Sequence, residues 1–260
     1  RAESRSSEQE VEASLGRMQA AEALLLLLDY DGTLAPFASR PELATPDGDL
    51  LDLLGALAAR PGTEVHVVSG RQREVLDAWF LGLDIGLHAE HGCWSRPPRA
   101  AEWERLQTVH LVPYDDLLQL LKRYTERTPG ALIERKSAGL AWHFRLTRRD
   151  LGTAAAAALV EEVGQRFPPE VVEVLRGQKV VEFRPAGINK GLIVTRLRTT
   201  TTGKPLIVAM GDDTTDEEMF AALLPEEIGV HVGPGPSGAT LRQADVPDCR
   251  AFLRRLVRER

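Results

Sequence analysis

Leu24-Leu25-Leu26-Leu27-Leu28-Asp29-Tyr30-Asp31-Gly32-Thr33-Leu34-Ala35-Pro36 carries a fully apolar run straight into two carboxylates and a glycine turn. An unbroken apolar run of this length reads as a strand covered on both faces, as the strands of parallel sheets are. Ligands of such sheets bind beyond the carboxyl ends of the strands, which is where Asp29 and Asp31 fall. Side chains two apart on a strand point the same way, so both acids converge on one site wherever strand geometry persists. Two carboxylates this close suit a bound cation, such as Mg²⁺ with its oxygen ligands, or a carboxylate that attacks phosphorus. An Asp-Gly turn after a core strand would give the same local sequence, so the rest of the chain has to decide.

Composition narrows the class. A length of 260 residues predicts one large or two modest domains. A chain this long buries about 70–75% of its unfolded surface, so no disulfide or metal staple is required. The net charge of −6 leaves no electrostatic footprint for nucleic acid. Cys93 and Cys249 make neither a disulfide framework nor a metal-ligand spacing, so a reducing cytoplasm is the expected compartment. The longest apolar run, Ala23 to Leu28, is too short to span a membrane, and it follows an acidic segment, unlike a signal peptide. The chain opens on Arg1 rather than methionine, which fits a trimmed chain or the carboxyl-terminal part of a longer one.

Outward from the leucine run, the sequence predicts a leading helix from Glu8 to Ala23 and a helix from Ala44 to Arg60. Thr45 is placed at the N-cap of the second helix and Pro46 at its first position. Val65–Val68 and Asp84–Ala89 read as further strands with a helix between them, an alternation that argues a doubly wound parallel sheet. After about residue 105 the pattern changes. Helix Pro113–Arg127 precedes strands Ala131–Lys136 and Leu140–Arg145. Helix Thr153–Phe167 precedes strands Val171–Leu175 and Lys179–Phe183. Two helix–hairpin units predict a small antiparallel sheet with helices on one face, inserted at 108–183 into a core made of 1–107 and 184–260. The parallel pattern resumes with a helix opened by Lys190, strand Pro205–Met210 and strand Glu227–Val232. A helical turn is expected near Ala239, then a basic terminal helix.

Four features now stand at carboxyl ends of strands or at a helix opening: Asp29 with Asp31, Ser69, Lys190, and Asp212 with Asp213 and Asp216. Phosphoryl transfer needs such an inventory. An anionic nucleophile attacking an anionic phosphate requires neutralising charge, and an acid must protonate the leaving oxygen. Asp29 is the candidate nucleophile, with Asp31 as acid toward the leaving alcohol and then base toward water. Asp212 is expected to hold Mg²⁺ with Asp29 and a backbone carbonyl near Asp31, and Asp216 to ligate or support it. Ser69 is expected to donate to phosphate oxygen, and Lys190 to supply a fixed positive charge. Taken singly, each has a structural alternative: a turn and N-cap at Ser69, a surface lysine at Lys190, a solvated acidic helix start at Asp212–Glu217.

Asp29-Tyr30-Asp31-Gly32-Thr33-Leu34, Ser69-Gly70-Arg71, Lys190 and Gly211-Asp212-Asp213-x-x-Asp216 resemble the four motifs of the haloacid-dehalogenase-like phosphatase superfamily. Glu90-His91-Gly92, Glu134-Arg135-Lys136 with Trp142-His143, Glu182 with Arg184-Pro185, and Asn189-Lys190-Gly191 narrow the resemblance to its trehalose-6-phosphate phosphatases. The resemblance implies a Rossmann-like core with a C2-type α+β cap at 108–183 that closes over it and recognises the sugar. It implies a Mg²⁺-dependent hydrolase of trehalose biosynthesis, acting on trehalose 6-phosphate through an aspartyl-phosphate. Under it, Asp29, Asp31, Ser69 and Lys190 carry the chemistry, and Asp29, Asp31, Asp212, Asp213 and Asp216 form the metal set. Gly70, Arg71, His91, Glu134, Arg135, Lys136, Glu182 and Asn189 contact substrate. Trp142 and His143 alternate on one strand, so only one of them faces a ligand.

Two other readings stay open. The same chemistry can serve sucrose 6-phosphate or mannosyl-3-phosphoglycerate. The chain can also be a regulatory phosphatase-like module associated with or fused to a trehalose-phosphate synthase, although four intact motif groups argue against decay. The expected partner is a small sugar phosphate, with no nucleic acid and no membrane, and the expected state is a monomer.

Overall fold

A computed structural model of the protein describes residues 6–38, 40–106 and 113–257. The chain forms two compact units, Arg1–Leu106 with Asn189–Arg260, and Gln107–Ile188. In chain order the elements are α1 (Glu8–Ala20), β1 (Leu24–Leu28), α2 (Gly48–Ala58), β2 (Thr63–Val68), α3 (Arg73–Trp79), β3 (Gly86–Ala89), β4 (Trp94–Arg96) and β5 (Glu104–Arg105). The second unit contributes α4 (Tyr114–Arg127), β6 (Leu132–Arg135), β7 (Leu140–His143), α5 (Arg149–Arg166), β8 (Val172–Gly177) and β9 (Val180–Pro185). The first unit resumes with α6 (Gly191–Thr200), β10 (Leu206–Gly211), α7 (Glu217–Ala221), β11 (Ile228–Val232), β12 (Leu241–Gln243) and α8 (Val246–Val257).

The first unit is an eight-stranded sheet in the order β12-β11-β10-β1-β2-β3-β4-β5. Its strands run parallel from β12 to β3, and β4 and β5 extend it antiparallel. The leucine run explains the layering. Leu24, Leu26 and Leu28 pack with residues of α1, α2 and α8, while Leu25 and Leu27 pack with α6 and α7 on the other face. Each leucine is fully buried and contributes about 1.5–3 kcal/mol by leaving water. In β1, therefore, no position takes a polar residue until the strand ends.

Several expectations need correction. Helix α2 starts at Gly48, not Ala44, and its N-cap is Asp47 rather than Thr45. The Asp47 carboxylate accepts from the Leu50 N–H and also pairs with Arg250, and a carboxylate held by both is the better cap. Helix α1 ends at Ala20, before residue 23, and α5 begins at Arg149 rather than Thr153. The turn expected near Ala239 gives way to strand β12, and β4 and β5 escape the sequence pattern. The second unit runs on to Ile188 rather than 183, because β9 continues through Pro185. Its other limit, expected at 107–108, adjoins residues 107–112, which lie outside the described residues.

The second unit has a four-stranded antiparallel sheet in the order β6-β7-β9-β8. Leu140, Trp142, Val181 and Phe183 share a core with leucines of α4 and with Leu159 and Val163 of α5. The alternation of strand side chains sends Glu134, Lys136, His143 and Glu182 to the opposite, helix-free face.

A buried polar chain crosses the first unit's sheet. His66 Nδ1 lies 3.1 Å from His88 Nε2, His88 Nδ1 lies 2.9 Å from Ser95 Oγ, and His66 Nε2 faces Glu64 at 3.4 Å. Two neutral imidazoles satisfy every link: Ser95 donates to His88, His88 to His66, and His66 to Glu64. Burial pushes the His88 pKa well below its ordinary 6.5, helped by His66 and Arg196. Such a group contributes stability above pH 6.5, and the contribution is lost as pH falls below that value, because the unfolded imidazole takes up a proton first. The expected loss is about 1 kcal/mol per pH unit. Urea midpoints of the native protein and His88→Gln between pH 7.5 and 5.5 check it: the variant is less stable at pH 7.5 and flatter below. Equal slopes would contradict the assignment.

Candidate active site

The carboxyl ends of β1, β2 and β10 converge because of their register. Leu28 pairs with Met210 on one side and Val67 on the other, so Asp29, Ser69 and Asp212 leave the sheet side by side. The Asp29 N–H donates to the Met210 carbonyl at 2.9 Å, which holds the chain in the sheet one residue past the strand. Gly32 then turns with φ 88°, and a Cβ there would overlap the Asp212 carboxylate. The turn thus requires glycine for its dihedral and for its closeness.

Lys190, the residue before α6, is 2% exposed. Its ammonium donates to Asp29 Oδ1 at 2.6 Å and to Asp216 Oδ1 at 2.7 Å. A cation opposes the dipole at a helix start, and these two acids offset that cost. The Lys190 N–H donates to the Glu218 carboxylate. The other Asp216 oxygen accepts from the Asp212 and Asp213 N–H groups at 2.9 and 3.1 Å, so Asp216 shapes the loop after β10 as well as pairing with the lysine. Thr33 is buried and donates its hydroxyl to Asp212 Oδ1 at 3.1 Å.

Asp29, Asp212 and Asp216 offer oxygens within 4.8 Å of one another. Burial, then Asp216, pushes the Asp29 carboxyl well above the usual range against the pull of Lys190. Burial likewise raises Asp212 to about 7 and Asp216 to about 6. Burial disfavours the Lys190 charge, but Asp216 and Asp29 outweigh it and hold the ammonium well above its ordinary pKa. Three carboxyl groups share one ammonium, so when all three ionise the cluster carries two negative charges in excess. Hard oxygen donors with that residual charge fit a divalent cation such as Mg²⁺.

Two acids of the expected metal set lie outside this cluster. Both oxygens of Asp31 accept from the Arg71 guanidinium, at 2.8 and 2.7 Å. Asp213 accepts from the N–H and hydroxyl of Thr215. Burial would raise the Asp213 carboxyl, but Lys190 and the Thr215 bonds leave it below the usual range. Each engagement has a local reason: a guanidinium fork matches a carboxylate, and an Asx turn satisfies the loop.

Ser69, Gly70 and His91 sit together. Ser69 is buried and its hydroxyl accepts from the Arg71 N–H at 3.2 Å. His91 has φ 59° and donates its N–H to the Ser69 carbonyl at 3.0 Å. A Cβ on Gly70 would stand 2.7 Å from His91 Nε2, so the glycine is set by the imidazole. Asn189 accepts from the Leu192 N–H at 3.1 Å and thereby caps the start of α6.

On the helix-free face of the second unit, His143 Nε2 lies 2.8 Å from Glu134, and Lys136 donates to Glu182 at 2.6 Å. Burial pushes the Glu134 carboxyl up, but the His143 bond and the Lys136 charge leave it below the usual range. Trp142 turns instead into the core, donating to the Thr125 hydroxyl at 3.0 Å. Arg135 belongs by alternation to the helix-covered side and is exposed at its margin. Among these residues Thr33, Glu218 and the Glu134–His143 pairing escaped the sequence reading. Thr33 stands inside the Asp29–Leu34 motif, whereas Glu218 gives no local signal.

The family model described as Trehalose-phosphatase matches residues 27–247. The bifunctional trehalose-6-phosphate synthase/phosphatase of Thermoproteus tenax is 41% identical over 232 residues, covering 89% of this chain and 32% of that protein. The chain spans between a quarter and a third of the length of such curated relatives. The C-terminal domain of a C. albicans trehalose-6-phosphate phosphatase superposes with TM-score 0.89 at 30% identity, over 95% of this chain and 96% of that one. A haloacid dehalogenase-like hydrolase from Bacteroides thetaiotaomicron, at 15% identity and TM-score 0.64 over 90% of this chain and 99% of that one, shares the fold. No helix among the described residues is long and apolar enough to cross a membrane.

Proposed function

Because the chain belongs to the trehalose-phosphatase family, we propose that it hydrolyses trehalose 6-phosphate to trehalose and phosphate through an aspartyl-phosphate, with Mg²⁺. The observation that carries the reading is the buried Lys190 ammonium between Asp29 and Asp216, beside Asp212. A carboxylate held by a fixed cation, next to two further oxygen donors, is arranged to attack phosphorus within a charge-compensated site.

An Asp29 oxygen bonds to phosphorus as the bond to the sugar oxygen breaks, and Asp31 gives that oxygen a proton. Water then attacks phosphorus, Asp31 takes its proton, and the bond to Asp29 breaks, restoring both acids. Ser69 donates to a phosphoryl oxygen, and Lys190 holds the reacting carboxylate in place. Asp29 and Asp212, with Asp216 and a backbone carbonyl near Asp31, would hold Mg²⁺. The ion supplies charge that neutralises the phosphoryl oxygens. Arg71 and His91, beside Ser69, line the same strand ends.

Sugar recognition falls in this reading to Glu134, Lys136 and Glu182, whose charged groups suit hydroxyl donors and acceptors. Association with a trehalose-phosphate synthase is part of the proposal, since the Thermoproteus tenax relative carries both activities in its name and has far more chain. A cytoplasmic setting fits two buried, free cysteines.

Phosphate release from trehalose 6-phosphate, sucrose 6-phosphate, mannosyl-3-phosphoglycerate and monosaccharide phosphates, with Mg²⁺ or EDTA, tests the reading. Release is expected with trehalose 6-phosphate and Mg²⁺ alone. A strict preference for a monosaccharide phosphate, or equal rates in EDTA, would overturn it. Glu134→Ala or Lys136→Ala is expected to raise KM for trehalose 6-phosphate about tenfold, leaving hydrolysis of a small aryl phosphate within about twofold. If both activities fell together, these residues would not be reading the sugar.

A further inference from the structure

Trp79 closes α3, and nothing in its sequence context marks it as functional. The Arg71 guanidinium carbon lies 4.4 Å from the centre of its ring and 5.7 Å from that of Tyr30. The two rings meet at 5.1 Å, and Phe80 packs edge-on against Tyr30 at 5.8 Å. Tyr30 is buried and anchored by a 2.6 Å bond from its hydroxyl to the Ala44 carbonyl. The shelf is therefore fixed by packing on one side and by a hydrogen bond on the other. From it, Arg71 presents two N–H groups to the two oxygens of Asp31.

We propose that Trp79 is a positioning residue for proton transfer, acting through Arg71 on Asp31. The proposal rests on the reading of Asp31 as the acid and base of the phosphatase reaction. Both Asp31 oxygens accept from one guanidinium, which fixes the direction of the lone pair that each oxygen keeps for a leaving oxygen or an attacking water. A cation over an aromatic face is held by the quadrupole of the ring, an attraction that persists when the guanidinium turns within its own plane. Arg71 can thus release one Asp31 oxygen and stay docked, keeping the other aimed. An aliphatic residue at position 79 fills space but provides no such pivot. Tyr30 adds a second face at longer range.

Steady-state kinetics of Trp79→Leu and Trp79→Phe on trehalose 6-phosphate and a small aryl phosphate, with thermal midpoints, test the proposal. Trp79→Leu is expected to lower kcat about tenfold on both substrates with KM within about twofold, and Trp79→Phe to recover most of kcat. A role confined to packing would move the midpoint and leave kcat of the folded enzyme unchanged, which would overturn the proposal. So would a Trp79→Phe defect as deep as that of Trp79→Leu. The ¹³C carboxyl resonance of Asp31 gives a readout that needs no turnover: it shifts in Trp79→Leu and holds in Trp79→Phe, and an unmoved resonance in both counts against the idea. A native protein that releases no phosphate would sink the phosphatase reading, while the resonance still decides whether Trp79 places Asp31.

Discussion

Asp29→Asn is expected to lower phosphate release from trehalose 6-phosphate, the proposed substrate, by about four orders of magnitude or more, without unfolding the protein. The asparagine amide matches the carboxylate in size but cannot attack phosphorus. Its effect on stability has the opposite sign. Burial and Asp216 raise the Asp29 carboxyl well above the usual range, so its ionisation costs folding free energy as pH rises through the folded value. In metal-free buffer at pH 8 the asparagine variant is expected to be more stable by about 1 kcal/mol, and near pH 4 the gain should vanish. Urea denaturation at the two pH values, with phosphate release alongside, checks both halves. Residual turnover within tenfold of the native rate would remove Asp29 as nucleophile. A less stable variant at pH 8 would mean that the Lys190 pair, not the crowding of acids, dominates its energetics.

Lys190→Met should have the largest effect on the fold. The ammonium is the nearest compensating charge to Asp29 and Asp216, at 2.6 and 2.7 Å, with all three groups buried. Removing one member of a buried ion pair leaves an uncompensated charge and costs about 3–5 kcal/mol. Methionine fills the volume, so the loss reads charge rather than cavity. Saturating Mg²⁺ should return part of the stability, because a cation bound by Asp29 and Asp212 restores positive charge. Adding Asp216→Asn to Lys190→Met should also return part of it, and the double-mutant cycle measures the coupling directly. A change below about 1 kcal/mol, or no response to Mg²⁺, would show that these acids are neutral in the free protein and that the lysine is not their counter-charge.

The parts of this architecture legible in the sequence are those with a strong local period. The leucine run reads as a two-sided strand because no residue in it tolerates water on either face, and its end announces the site because parallel sheets work at their carboxyl ends. The short strands β4, β5 and β12 hold three, two and three residues, too few to display an alternation. The cap of α2 failed for a different reason. Thr45 and Asp47 are both good caps by residue type, and the choice falls to Arg250, which meets the Asp47 carboxylate from the last helix.

The site divides in the same way. Composition and spacing supply the acids, the serine and the lysine, but a list of acids says nothing about which share a charge cluster. Asp31 is two residues from Asp29 and still belongs to a different group, paired with Arg71 on an aromatic shelf. Asp213 adjoins Asp212 but turns into its own loop toward Thr215. In the second unit the charged run Glu134-Arg135-Lys136 separates by alternation, with Glu134 meeting His143 and Lys136 meeting Glu182.

The sequence by itself determined the kind of chemistry: an apolar strand delivering two carboxylates, followed in order by a serine, a lysine and an acidic loop. Only the tertiary structure decided the partners. Side-chain direction along a strand follows from a local two-residue period, whereas the distance between Asp29, Lys190 and Asp216 follows from the register of β1 on β10 and from the helices packed beside them. Electrostatic energies depend on that distance and on burial, neither of which one segment of chain contains.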